Sequence, residues 1–491
     1  MTLAAALQTA RSSLANAALQ SALISRNVAS VDQAGYARRM SETVADSAGL
    51  GVNVAVKRII EDALRDAALE AGARAEGAQT LLAGLDRLDV VVGARSGDDT
   101  LPALLGALRD SLTAYGNDPS RAALGEAAVR AAGDVAARLN RLSDAATQLR
   151  DRADQDIAAS VANVNTLLGR FKTADADVVA ALATGKDPSD AQDERDALLA
   201  ALSKEIGVTA RPQRNGGLAL YADGGLVLYD REPRRVEFTR SGPLVAGASG
   251  GAVMIDGVDA TSQASTMAVG VGRIAALIAL RDDVGVRMQA QADETARALV
   301  ANFSESDQSA LPVAPTLAGL FVDPRTTGVP DAVAAVGLAA RLAVNANADP
   351  ARGGDVTRLR DGGVGDPFNP VYRYNATGHA GFETRLVALA DSFGSLFAFD
   401  PGAGLPTNVG LADFAVASLD WTSGRRAEAS ASAQREQAVR DRTVESLSNS
   451  AGVNVDEEMS RLLEVERAYQ ASAKLMSTID EMFATLLQAV R

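Results

Sequence analysis

The chain has 491 residues, 47% hydrophobic and 22% charged, which is enough to bury a sizeable core and too apolar to stay disordered. Its 62 acidic against 48 basic residues leave a formal charge of −14, which excludes a general nucleic-acid binder, whose surface must neutralise phosphates. With no cysteine it has no disulfide, thiolate metal site or cysteine nucleophile, and with only 4% aromatics and abundant alanine it suits closely packed helices.

The first segment carries a 3/4 spacing through Leu3, Leu7, Ala10, Leu14, Ala17, Ser21, Ile24, Val28 and Val31, the narrow seam of a coiled coil. Gly35 supplies a helix stop, since glycine accepts the left-handed conformation at little cost. A second helical pattern runs from Arg58 to about Val92 through Ile59, Leu64, Leu81, Leu85 and Leu88, until "GARSGDDT" breaks it. "LPALLGALRDSLTAYG" forms a short helix. Pro119 and Pro188 then bracket a proline-free stretch in which Val135, Leu139, Leu142, Ala146, Leu149, Ala153, Ile157, Val161, Val164, Leu168 and Phe171 keep helical spacing. A continuous helix there would reach roughly 90 Å at 1.5 Å per residue.

After "DERDALLAALSKEIGV" the period changes. "GLALYADGGLVLYD" and "RRVEFTR" alternate and are punctuated by glycine, predicting β-hairpins. Helical character returns from Val271 to Phe303. Its apolar start, "VGRIAALIAL", is short and interrupted by Arg273, so no membrane insertion is expected. Residues 304–420 hold much of the Pro, Gly and Asn, with one helical patch at "DAVAAVGLAARLAV", and a polar helix spans Arg425 to Leu447. At the far end Val455, Leu462, Tyr469, Met476, Phe483 and Val490 recur every seventh residue, beside a partner series of Glu458, Val465, Ser472, Ile479 and Leu486.

The expected fold is predominantly α with a β-rich part, α+β and multidomain, built on elongated helical rods with the N- and C-terminal helices pairing as a coiled coil. Four parts follow: 1–57 with 450–491 as a terminal helical domain, 58–206 with 270–310 and 421–449 as a helical rod, a β-rich 207–269, and a mixed insert at 311–420. Each terminal helix alone is marginal in water, so the two seams should be buried against each other or against neighbouring copies. On pattern alone, an ordinary intramolecular core is the commoner explanation of each seam position.

Catalysis finds no support. His379, in "NATGHAGF", is the single histidine and no nucleophile motif flanks it; one His without Cys cannot assemble a usual zinc site. "GGDVTRLRDGGVGD" lacks the alternate carboxylates of an EF-hand, and "GASGG" lacks the context and Lys of a phosphate loop. No enzyme activity, cofactor or metal is expected.

"ISRNVASVDQAGYARR" resembles the N-terminal signature of the bacterial flagellar axial proteins (rod, hook and hook-associated), approximately Asn-Ile-Ala-Asn-x-x-Thr-x-Gly-Tyr. Asn27, Ala29, Gly35 and Tyr36 match, while Ser30 and Gln33 replace the second Asn and the Thr. "GVNVDEEMSRLLEVERAYQASAKLMSTIDEMFATLLQAV" resembles the family's C-terminal end, including Asn454 and Glu458. Arg38 after Gly-Tyr-x, "DERDALLAALSKEIGV" and the Gly272–Phe303 segment are similar to the hook-associated members at the hook–filament junction, where rod and hook proteins usually carry Lys at the place of Arg38.

The resemblance implies an extracellular structural subunit that forms a ring with copies of itself between the hook protein and a second hook-associated junction protein. It also implies export by the flagellar type III apparatus, with an export chaperone at the C-terminal helix and no cleavable signal. "MTLAAALQTAR" indeed lacks a basic n-region and a cleavage site, although composition alone would put the chain in the cytoplasm. The expected seams are Leu7, Leu14, Ile24 and Val28 on one helix and Leu462, Tyr469, Met476, Phe483 and Leu486 on the other. Asn27, Gly35 and Tyr36 would set the chain reversal. The alternatives are another axial protein (hook subunit or second junction protein) or a cytoplasmic coiled-coil scaffold.

Overall fold

The computed structural model describes residues 3–31, 36–45, 52–92, 97–262 and 264–489. It is predominantly helical with small antiparallel sheets, the class expected. Helix α1 (Leu3–Ala29) is followed by a hairpin, β1 (Arg39–Ala45) and β2 (Val52–Arg58), paired in register from Arg39↔Arg58 to Ala45↔Val52. The terminal domain expected at 1–57 therefore carries a hairpin beside its helix, which the apolar spacing of the first segment did not signal.

The body begins with α2 (Asp62–Val92) and α3 (Leu101–Asn117), the latter capped by the Thr100 hydroxyl, which accepts the Ala103 amide. Helix α4 (Ala122–Ala183) is the long proline-free segment, 62 residues without interruption, or roughly 93 Å. Helix α5 (Ser189–Glu205) leads into antiparallel β3 (Val208–Pro212), β4 (Leu218–Ala222) and β5 (Val227–Asp230). Of "RRVEFTR" only Val236–Glu237 is a strand, in a small sheet with 254–255 and 258–259.

Helices α6 (Arg273–Ala279) and α7 (Gly285–Asn302) are continuous through a π-helical turn at Leu280–Val284. The region beyond holds short α8 (Thr357–Asp361) and α9 (Thr384–Asp391). The expected helix at 331–344 is absent. Gly337 adopts φ +73°, and the Asp293 carboxylate accepts the amides of Gly337 (2.7 Å) and Ala339 (2.8 Å), holding the segment as turns. Helix α10 starts at Leu411 rather than Arg425, because Leu411, Phe414 and Ala415 are buried in the body, and runs to Ala451; α11 spans Val455–Ala489.

Two apolar cores lie along the body. One joins α2, the C-terminal half of α4, α5, β3–β5 and α6; the other joins α3, the N-terminal half of α4, α7 and residues 318–415, so the insert shares its core with the rod. Leu142 of α4 packs against both. The terminal helices form a third and far smaller cluster of Ala17, Ile24 and Val465 with Leu462 alongside.

Candidate assembly site

The two chain ends meet as an antiparallel pair. Ser13 lies 2.9 Å from Ser472, Ile24 packs with Val465, and Asn27 reaches Glu458, so α1 ascends as α11 descends. On α1, Ile24 is buried and Leu7, Leu14 and Val28 are half-buried. On α11 the innermost residues are Glu458, Val465, Ser472 and Ile479, which is the partner series. Leu462, Met476 and Phe483 flank them half-buried. Tyr469, at 45% exposed, stands outside the contact between α1 and α11, which is centred on the series that places Ser472 opposite Ser13. The side chain of Leu486 lies outside the described residues, as does Gly35.

At the inner end of the pair the signature residues converge. Asn27 is buried and uses all of its amide: Nδ2 donates to Glu458 Oε2 (2.9 Å) and to the Arg39 carbonyl (3.0 Å), while Oδ1 accepts the Arg39 amide (3.1 Å) and the Tyr36 hydroxyl (2.8 Å). Asn27→Asp would lose both donors. Arg38 forks onto the other oxygen of Glu458, with Nε at 2.7 Å and Nη2 at 2.6 Å, and its backbone amide donates to the Ala451 carbonyl at 2.8 Å. Asn454 caps α11: its Oδ1 accepts the amides of Asp456 (3.0 Å) and Glu457 (3.3 Å). Three carboxylates then fill the first turn, at the positive end of the helix dipole.

This cluster continues onto α5, which spacing within the termini did not foresee. Arg39, 1% exposed at its side chain, meets Asp193 at 2.5 Å and Asp190 at 2.7 Å, and its guanidinium lies 5.0 Å from the Tyr36 ring centre. Arg58 meets Asp193 at 2.8 Å and Asp196 at 2.7 Å. Burial raises the Tyr36 phenol, and the positive charge of Arg39 only partly offsets it. Burial also pushes the Asp190 carboxyl up, but hydrogen bonds from Arg39 and Arg26 outweigh it and hold the group below its ordinary value. The signal available in the sequence was the second arginine of "YARR" and the Asp-x-x-Asp of "DERD". Among the described residues no group of histidine and carboxylate side chains could hold a metal, and His379 sits in an exposed turn.

Residues 85–319 match the family model for the helical domain of the flagellar hook-associated protein FlgK, and residues 446–489 match that for the C-terminal part of the flagellar basal body rod FlgEFG proteins. The chain thus carries a FlgK-type helical domain over just under half of its length and a rod-protein-type C-terminal part. The FlgK helical-domain match takes in most of the body, from the end of α2 to α7 and including β3–β5, while the second match covers α11 with its Asn454 cap and Glu458. A solved structure, that of the flagellar hook junction protein FlgK from Burkholderia pseudomallei, is 18% identical with a TM-score of 0.42, covering 52% of this chain and 46% of that chain. This chain therefore spans less than half of that FlgK. No curated protein matches the sequence. No helix among the described residues is long and apolar enough to cross a membrane.

Proposed function

We propose that this chain is a structural subunit of the flagellum, exported by the type III apparatus and assembled outside the cell as a ring at the junction between hook and filament. The observation that carries the proposal is the hydrogen bond between Asn27 and Glu458, which joins signature residues 431 positions apart, in a chain that carries the FlgK helical domain. A scaffold that only needed a coiled coil would not need its two ends to recognise each other through buried polar groups.

In this reading the paired ends, 1–57 with 450–491, form the inner wall. The rod (58–206, 270–310 and 421–449), the β-rich 207–269 and the insert 311–420 lie outside it. The thin seam and the exposed Met459, Leu463, Leu475 and Met482 of α11 give a physical reason for burial against neighbouring copies and for an export chaperone at this helix. The ends then order fully only on docking, where burial offsets about 1–2 kcal/mol per residue of backbone entropy.

Deletion of the gene tests the junction role. Hooks should remain intact while unpolymerised flagellin leaks into the medium. Loss of the hook itself would assign the chain to another axial protein, a reading to which the rod-protein model at 446–489 lends some weight. Leu14→Asp or Leu462→Asp should leave export and the body intact but stop ring formation. Normal filaments on such variants would overturn the seam assignment.

A further inference from the structure

The acidic row of α5 has no role in the reading above. Asp190, Asp193 and Asp196 recur every third residue along one side of the helix. Opposite them stand Arg39, the first residue of β1, and Arg58, the last of β2, which are direct cross-strand partners, with Arg26 from the end of α1 beyond. Asp193 takes one arginine on each oxygen and also accepts the Ala37 amide at 3.4 Å. Asp190 bridges Arg39 and Arg26, and Asp196 completes Arg58. Three arginines thus face three aspartates and the row is charge-neutral. Its centre is dry, with side-chain exposure of 1% for Arg39, 7% for Arg58, 10% for Asp193 and 9% for Asp196.

Among the described residues no apolar cluster crosses this boundary. The core beside α5 contains no residue before Leu69, and the cluster of the terminal pair contains none from the body. The ends are therefore seated on the body through ions rather than through a shared core. Such a seat is an inefficient source of stability: Arg39 Nε and Nη1, Arg58 Nε and Asp196 Oδ1 find no hydrogen-bond partner, and apolar side chains of similar volume would often bind as well or better. What paired charges supply, and apolar contacts do not, is a fixed direction and register.

We propose that Asp190, Asp193 and Asp196 are positioning residues that grip the base of the hairpin through Arg39 and Arg58 and so set the angle between terminal pair and body within the single subunit, before any neighbour binds. The root of the pair is then preformed, while its apolar tips wait for the assembly. The subunit arrives with its direction already chosen.

The absence of native cysteine allows a direct test on the full-length chain. Ala22→Cys on α1 and Gln155→Cys on α4, both exposed, take spin labels for a pulsed dipolar distance measurement. The otherwise unchanged monomer should give one narrow distance. Arg58→Asp and Asp196→Arg should each abolish that single maximum, and the two together, which restore an opposite-charge pair, should bring it back. Thermal melting of the body should stay unchanged throughout, which separates a loose joint from a misfolded chain. A broad distribution without these charge changes, a narrow one in Arg58→Asp, or no recovery in the swapped double variant would each overturn the proposal. The flagellar role would stand or fall separately, on the deletion phenotype.

Discussion

The body and the terminal pair are both built from long helices, yet they are held together by different materials. The body buries Leu, Val and aromatic side chains in two extended cores, with Phe303 packed edge-on against Phe321 and Phe393. The pair buries Ala17, Ile24 and Val465, places two serines opposite each other and leaves several large apolar residues of α11 in solvent. A body of that kind satisfies its own chain. A seam of alanine, serine and a few large residues gives close helix approach but little buried area, so its stability depends on what else covers it. Between the two lies a polar joint that fixes direction at little net gain.

The widest separation should come from equal truncations in the two regions. Phe303→Ala removes a fully buried ring from the body and should lower its stability by about 3–5 kcal/mol, read as a large downward shift of the main thermal transition. Ile24→Ala, also at a buried position, should leave that transition in place and act only on the local opening of the pair. If Ile24→Ala moved the main transition as far as Phe303→Ala does, ends and body would unfold as one unit and the contrast would be lost.

Next comes the root of the pair. Glu458→Ala strips the partner from buried Asn27 and from Arg38, a change that typically costs about 3 kcal/mol or more when a buried charge is left alone. Here the loss should be confined to hydrogen exchange, with residues 36–40 and the start of α11 losing protection while α4 keeps it. Glu457, 3.3 Å from Arg38, provides partial relief, so the effect should remain below that of the body truncation.

How much of this was legible follows from what each element needs. Helix α4 could be read from end to end because its apolar spacing is unbroken and its limits are prolines. The signature residues Asn27, Tyr36, Arg38 and Glu458 could be named, but their mutual bonds could not, since contact across 431 positions leaves no periodicity. The choice between two heptad series on α11 was ambiguous. Large residues pointed to Tyr469, while the antiparallel contact uses the series containing Ser472, where a small hydroxyl admits close approach. The 331–344 segment has helical composition and is not helical, because a carboxylate on a distant helix captures its amides.

That carboxylate gives the body a pH signature. Burial raises Asp293 from its ordinary 3.8 to about 6, against the lowering effect of the Ala339 and Gly337 amides and of Arg341, with the charge of Glu294 adding to the rise. A raised carboxyl keeps its proton longer in the folded state than in the unfolded one. Its contribution is therefore most favourable below 3.8, weakens as pH rises towards about 6 and is constant above. Asp293→Asn removes the titration. The stability gap between wild type and variant should change by up to about 1.4 kcal/mol per pH unit across that window and be flat above it. A gap independent of pH in denaturant titrations would show that the carboxyl titrates normally.

The smallest effect is expected at Tyr469, and it is the most informative about the pair. Sequence spacing puts this ring in the seam, and the structure turns it outward at 45% exposure on the same helix as exposed Leu475 and Met482. A side chain so placed contributes little inside its own subunit, so Tyr469→Ala should change the stability of the isolated chain by no more than about 0.5 kcal/mol. If the pair is completed by neighbouring copies, the same substitution should reduce filament yield in cells, because a large amphipathic ring is the kind of residue that anchors an interface. A silent isolated chain with impaired assembly places Tyr469 between subunits. A destabilised isolated chain would mean that the ring packs within its own subunit after all, and unimpaired filaments would remove it from the interface.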